Sequence, residues 1–331
     1  MKALICKQWG KPEDLIFDAL PEPQPGPHEV KIRVEAAGLN LPDLLMIMGR
    51  YQAKPPFPFV PCGEVAGEVV ACGAEVHEFV EGDRVLALCG TGGLAEYAQT
   101  EAKYVWHLPN AMTVETGAAL GVAYSTAYLG LVSRAQLRPG ERLLVHGAGG
   151  GMGLAAVNLG AFLGAEVIAT ASNAEKLALA KQQGAKHLIA YLETDMIETV
   201  RQLTRQKGVD VVYDPVGGDL FDQSLHCVGW EGRLLSIGFA SGRIPQVSVN
   251  RLLMNGISIS GLFLGGYKHH QPARLQKALS ELMRWYNQGG IRPHISRIFP
   301  FDEARQALSY FARRETLGKV VVRMPERPAQ F

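Results

Sequence analysis

The segment Leu143–Lys176, LLVHGAGGGMGLAAVNLGAFLGAEVIATASNAEK, constrains this chain's architecture more than any other. A short apolar run enters a cluster of glycines, an apolar helical pattern follows, and a second apolar run, EVIATA, closes the unit. Strand, glycine turn, helix and strand in that order read as a parallel βαβ unit. Within AGGGMG (Ala148–Gly153), Gly150 and Gly153 hold the second and third glycine positions of a dinucleotide fingerprint, with Ala148 at the first. A missing Cβ at the approach position lets the backbone meet a pyrophosphate, whose charge the helix amide end stabilises, and the third glycine lets helix pack on strand. Gly150, Gly151, Met152 and Gly153 are therefore expected to bind a cofactor. Glycine turns also occur as plain connections, and the placement between strand and helix is what favours the nucleotide reading.

The tip of the second strand selects the cofactor. An Asp or Glu there would accept from the adenosine ribose and repel a 2′-phosphate. This chain has Ala171 followed by Ser172, Asn173 and Lys176, whose hydroxyl, amide and ammonium groups can donate to a phosphate. The expectation is NADPH over NADH. Ser172 or Asn173 could equally cap the next helix, with Lys176 solvated.

The first 120 or so residues are β-rich. HEVKIRVEAAGLN alternates apolar and polar residues, GEVAGEVVACG and DRVLAL are further short strands, and KPPFPFVP is an ordered loop, because its prolines remove donors. From about Ala123 apolar strands alternate with helical stretches, as in a doubly wound parallel sheet. PARLQKALSELMRWYNQGG and DEARQALSYFARRE read as helices and GKVVVRM as a closing strand.

Composition narrows the function classes. At 331 residues, 47% hydrophobic and 20% charged, the chain has room for two cores. A formal net charge of +1 with no basic run gives no general pull toward nucleic acid or an anionic membrane. No apolar run reaches the roughly 18–20 residues of a membrane span, and MKALICKQWG alternates like a strand rather than a signal peptide. Cys6, Cys62, Cys72, Cys89 and Cys227 form no CxxC pair, so neither a disulfide framework nor a cysteine-rich zinc site is expected. A reducing cytoplasm is the simplest setting.

Taken together, AAGLNLPDLLMIMGRY, PFVPCGEVAGEV, GDRVLAL, VAYSTAY, HGAGGGMGLAA, VVYDPVGGDLF, GRLLSIGFASG and LGKVVV resemble the zinc-independent quinone oxidoreductase (zeta-crystallin-like) branch of the medium-chain dehydrogenase/reductase superfamily. The resemblance covers nearly the whole chain. It implies a GroES-like catalytic domain over 1–122, a Rossmann domain over 123–267 and a return to the catalytic domain over 268–331. It also implies NADPH, hydride transfer to a quinone or other electron-poor alkene, and a homodimer, with GISISGLFLGG as the edge strand joining two sheets. Zinc-dependent relatives place Cys and His where this chain has Asn40 and Gly63. Asn is a poor zinc ligand and Gly has no side chain, so no metal is expected.

By the same resemblance Asn40 and Tyr51 face the acceptor, Asn40 as an amide donor and Tyr51 as an aromatic wall with a hydroxyl. Asp43 could orient a neighbour, or could simply be a helix-start carboxylate. Thr126 would lie near the nicotinamide or its phosphates at a helix start. Tyr191 would lie beside the 2′-phosphate, Gly238, Phe239 and Phe263 would border the nicotinamide, and Lys319 would reach the cofactor. The bland alternatives are a turn-forming Asn40, a Tyr51 that covers core, and aromatics that fill core; His146 reads as structural. Two other readings stay open: an enoyl-CoA-type reductase on the same fold, and a non-catalytic NADPH-binding protein.

Overall fold

The computed structural model describes residues 1–313 and 315–325. In chain order these form β1 (Lys2–Ile5), β2 (Ile16–Ala19), β3 (Glu29–Gly38), α1 (Leu41–Ile47), β4 (Glu64–Cys72), β5 (Arg84–Leu88), β6 (Tyr97–Glu101), β7 (Val105–His107) and α2 (Val114–Tyr128). They continue with β8 (Arg142–Val145), α3 (Gly151–Phe162), β9 (Glu166–Ala171), α4 (Ala174–Gln182), β10 (His187–Ala190), α5 (Met196–Leu203), β11 (Val209–Asp214) and α6 (Gly218–Ser224). The last elements are β12 (Val228–Ser236), α7 (Val249–Asn255), β13 (Ser258–Gly261), α8 (Leu264–His270), α9 (Pro272–Asn287), β14 (Ile295–Pro300), α10 (Ala304–Ala312) and β15 (Lys319–Arg323).

Two units result, one from Met1–Val122 together with the chain from Pro293 onward, the other Ala123–Arg292. The first is a GroES-like β unit. Its larger sheet has the order β14-β15-β3-β4-β5-β7, with β6 also paired to β3. The alternation read in HEVKIRVEAAGLN becomes β3, which pairs antiparallel with β4, β6 and β15. Its core includes Val30, Ile32, Val34, Val65, Val85, Phe299 and Val320.

The second unit is a six-stranded sheet, order β10-β9-β8-β11-β12-β13, parallel at every pairing. Numbered within the unit, this is the 3-2-1-4-5-6 order of a dinucleotide-binding fold, with its switch point between β8 and β11. Leu144, Ile168, Val209, Val212 and Leu234 fill the middle of that sheet. His146 is buried in it, with Nδ1 2.8 Å from Thr170 Oγ1 and Nε2 2.6 Å from Ser224 Oγ. Burial holds its pKa below the usual imidazole value.

Two boundaries differ from expectation. The return to the first unit starts at Pro293 rather than 268, because α9 buries Leu275, Ala278, Leu279 and Leu282 within the second unit. There Trp285 meets the rings of Tyr128 and Phe162, with centroids 5.4 and 5.2 Å away. The end of the expected return, 326–331, lies outside the described residues. In addition, α2 begins at Val114, well before the change of pattern at Ala123.

Candidate active site

In the first unit, β3 ends in Gly38, and a Cβ there would collide with the Ala118 carbonyl of α2. That close approach turns Leu39 and Asn40 inward, and Asn40 becomes the N-cap of α1 in an extended conformation. Around it lie Glu64, which opens β4, and Lys319, which opens β15. The Glu64 side chain is 0% exposed and that of Lys319 5%. Lys319 Nζ donates to Leu39 O (3.1 Å), Asn40 Oδ1 (2.7 Å) and Glu64 Oε2 (2.9 Å). Asn40 Nδ2 donates to Gly38 O (2.9 Å) and Glu64 Oε2 (2.8 Å), and the Val122 N–H donates to Glu64 Oε1 (2.9 Å). A buried ion pair is tolerated when its remaining donors and acceptors are satisfied in this way.

Asp43 accepts from the Asn40 N–H at 2.7 Å and is 2% exposed. Burial pushes its carboxyl up to about 7, against the backbone N–H bonds and the Lys319 charge that pull it down. Tyr51 is half-buried beside the same core, and burial together with the Asp43 charge holds its phenol above the usual value. The Arg50 and Tyr51 N–H groups both donate to Leu45 O, which hangs the Tyr51 loop on the end of α1.

Two expectations change here. Both amide hydrogens of Asn40 are engaged inside the cluster, so it has no N–H left to donate to an acceptor. Lys319 uses all three N–H groups on Leu39, Asn40 and Glu64, so its contacts lie within this cluster. Glu64, the acceptor common to both, was not among the expected site residues. Its sequence signal was only a Glu after Cys62-Gly63.

In the second unit, the β8–α3 turn lies at the carboxyl end of the sheet. A Cβ at Gly153 would collide with the Gly147 and His146 carbonyls, so helix and turn touch only because it is glycine. Gly150 differs. Its conformation is extended (φ −89°), and a Cβ would find only Gly147 O, 3.5 Å away. The fold does not need a glycine there, whereas an approaching phosphate would. The N–H groups of Gly151, Met152 and Gly153 form the first turn of α3 at this point.

At the neighbouring tip of β9, Ser172 and Lys176 are half-buried, with Lys176 Nζ 3.5 Å from Ser172 Oγ. The Lys176 stem crosses Gly149, where a Cβ would collide with its methylenes. Asn173 caps α4, its Oδ1 accepting from the Lys176 N–H at 2.9 Å, which leaves its amide hydrogens for a ligand. Glu175, the one carboxylate in 172–176, is exposed. Because β10 pairs with β9 through Ala190 and Ala171, Tyr191 follows at the same edge.

Gly238 and Phe239 follow β12, and Phe263 follows β13. Phe239 is 38% and Phe263 48% exposed, so neither ring is core filling. Asp214 Oδ1 accepts from the Val216 and Gly217 N–H groups and so shapes the turn after β11, over which Phe239 lies. Thr126 departs from expectation: it is buried in the last turn of α2, so no helix start offers amides there.

The first cluster does not suit zinc. The Cys62 thiol is buried, and burial raises its pKa well above the usual value. It lies within hydrogen-bond distance of the Gly38 and Glu64 carbonyls, and Glu64 already faces an ammonium. Among the described residues no group of three His, Cys, Asp or Glu could hold a metal ion.

Residues 26–110 match the alcohol dehydrogenase GroES-like domain family, and residues 151–284 the zinc-binding dehydrogenase family. The quinone oxidoreductase-like protein 2 homolog of Nematostella vectensis is 38% identical over 97% of this chain and 88% of its own length. The quinone oxidoreductase of Pseudomonas aeruginosa is 38% identical over 97% of this chain and 99% of its own. Among solved structures, Escherichia coli quinone oxidoreductase complexed with NADPH superposes with a TM-score of 0.91 at 29% identity, covering 98% of this chain and 100% of that one. The two units are those of a medium-chain dehydrogenase/reductase, an oxidoreductase class. Within that superfamily the chain belongs to the zinc-independent quinone oxidoreductase (zeta-crystallin-like) branch.

Proposed function

We propose that the protein is an NADPH-dependent reductase that delivers hydride to quinones or other electron-poor alkenes without a metal ion. The tip of β9 carries this reading, since hydroxyl, amide and ammonium donors stand where a ribose-binding carboxylate would select NADH. The bound NADPH of the E. coli relative supports the same cofactor. Gly150 and the first-turn amides of α3 receive the pyrophosphate. Ser172, Asn173, Lys176 and Tyr191 hold the 2′-phosphate, and Gly238, Phe239 and Phe263 border the nicotinamide. NADPH, when bound, supplies the hydride. A quinone or enone carries the resulting negative charge in its own conjugation, so this chain has to orient it, keep it dry and offer one donor. Tyr51 offers that hydroxyl, while Asn40 and Asp43 hold the start of α1. The completing proton comes from solvent.

The substrate is a small molecule, and neither nucleic acid nor membrane is a partner. Among the described residues no helix is long and apolar enough to cross a membrane, and the cytoplasm is the proposed location. Two copies pair through β13, which with β10 is one of the two edges of the parallel sheet. Sedimentation should give twice the chain mass of 35.9 kDa, and a monomer would contradict the pairing.

Steady-state NADPH oxidation with a panel of quinones, enones and enoyl-CoA thioesters tests the reaction. Turnover with small quinones or enones is expected. Turnover confined to enoyl-CoA thioesters would move the protein to the enoyl reductases. Tight NADPH binding with no turnover on any acceptor would leave a non-catalytic binding protein.

A further inference from the structure

We propose that Lys319 is a positioning residue of the reductase site: paired with Glu64, it clamps the Asn40 side chain and thereby fixes α1 and the loop that carries Tyr51. The inference rests on the reductase reading above. Its basis is a closed network in which each polar atom of the Asn40, Glu64 and Lys319 side chains has a partner. The chemistry fixes the amide orientation, because the reverse would aim two N–H groups at an ammonium and leave Gly38 O and Glu64 facing an oxygen. At the position where zinc-dependent members carry a metal ligand, Asn40 thus faces a cation supplied by the chain itself.

The clamp leads from Asn40 to Tyr51 in short steps. The Asn40 N–H donates to the Asp43 carboxylate, and the Asp43 N–H donates to Asn40 O at 3.1 Å, so the start of α1 closes on the clamped residue. At the other end of the helix, Leu45 O accepts from the N–H groups of Arg50 and Tyr51 at 2.7 and 3.1 Å. Losing the ammonium releases Asn40 and lets the Tyr51 hydroxyl drift from the acceptor oxygen, and a displacement of about 1 Å can lower a rate about 100-fold.

A double-mutant cycle of Lys319→Met and Asn40→Ala tests this, read by kcat and by the Kd for NADPH. Lys319→Met is expected to lower kcat at least tenfold and to leave the Kd within twofold. Adding Asn40→Ala should then lower kcat by less than a further twofold. An unchanged kcat, a tenfold rise in Kd, or effects on kcat that simply multiply would overturn the inference. If Lys319→Met does not fold, Glu64→Gln/Lys319→Met removes both buried charges and is judged by the same outcomes. A wild-type protein with no turnover defeats the reductase reading instead. The clamp is then judged in the cofactor-free protein from the unfolding midpoints of the same cycle, where non-additive shifts support it and additive shifts overturn it.

Discussion

At Asp43, burial and hydrogen bonding act in opposite directions and burial prevails. The folded carboxyl titrates at about 7 against an ordinary 3.8, so the folded chain holds this proton more tightly than the unfolded chain. Between those values unfolding releases the proton, and the stability contributed by protonated Asp43 is lost as pH rises, by up to about 1.4 kcal/mol per pH unit. Asp43→Asn should remove that part of the slope in urea unfolding measured from pH 4.5 to 7.5. A slope unchanged by the substitution would contradict the buried, titrating carboxyl. The neighbouring network was not legible in the sequence. Lys319 lies 255 positions from Glu64 and 279 from Asn40, and no local pattern records which buried cation meets which buried anion. The identity of Asn40 in AAGLN was readable, but the direction of its amide was not.

The glycines around α3 divide into those the fold needs and those a ligand needs. Gly153→Ala should destabilise the protein by about 1–3 kcal/mol, because the added carbon meets two backbone carbonyls. Gly150→Ala should change stability by less than about 0.5 kcal/mol, as at an unconstrained surface site. Its effect falls on the Kd for NADPH, which should rise about tenfold, or 1.4 kcal/mol. Thermal unfolding without cofactor and fluorescence titration with it separate the two, and equal losses of stability would contradict the division. The same elements show what periodicity can report. The βα alternation from β8 to β12 was readable because its strands are near-continuous apolar runs bounded by glycine and polar turns. The start of α2 was hidden, since Ala118, Ala119, Leu120, Ala123, Tyr124 and Ala127 are all buried and leave no single stripe. ISRIFP was not read as β14, since its arginine and terminal proline weaken the alternation.

For the whole molecule, the strand order puts the glycine turn, the donors after β9 and the turn after β11 at the carboxyl edge of one parallel sheet, on either side of its switch point. The GroES-like unit by itself holds the buried Asn40–Glu64–Lys319 network, with Tyr51 packed beside its core. The division into a β-rich unit and a doubly wound unit was legible from the change in period. The return point was not, because α9 has an apolar stripe that would serve a core in either unit. The most direct test of the central claim is the ratio of kcat/KM for NADPH over NADH with a small quinone, measured after exhaustive chelation, in the wild type and in Lys176→Glu. A wild-type ratio of at least ten that survives chelation and falls toward one in the variant is the predicted result. Loss of activity on chelation, or a ratio that Lys176→Glu leaves unchanged, would contradict it.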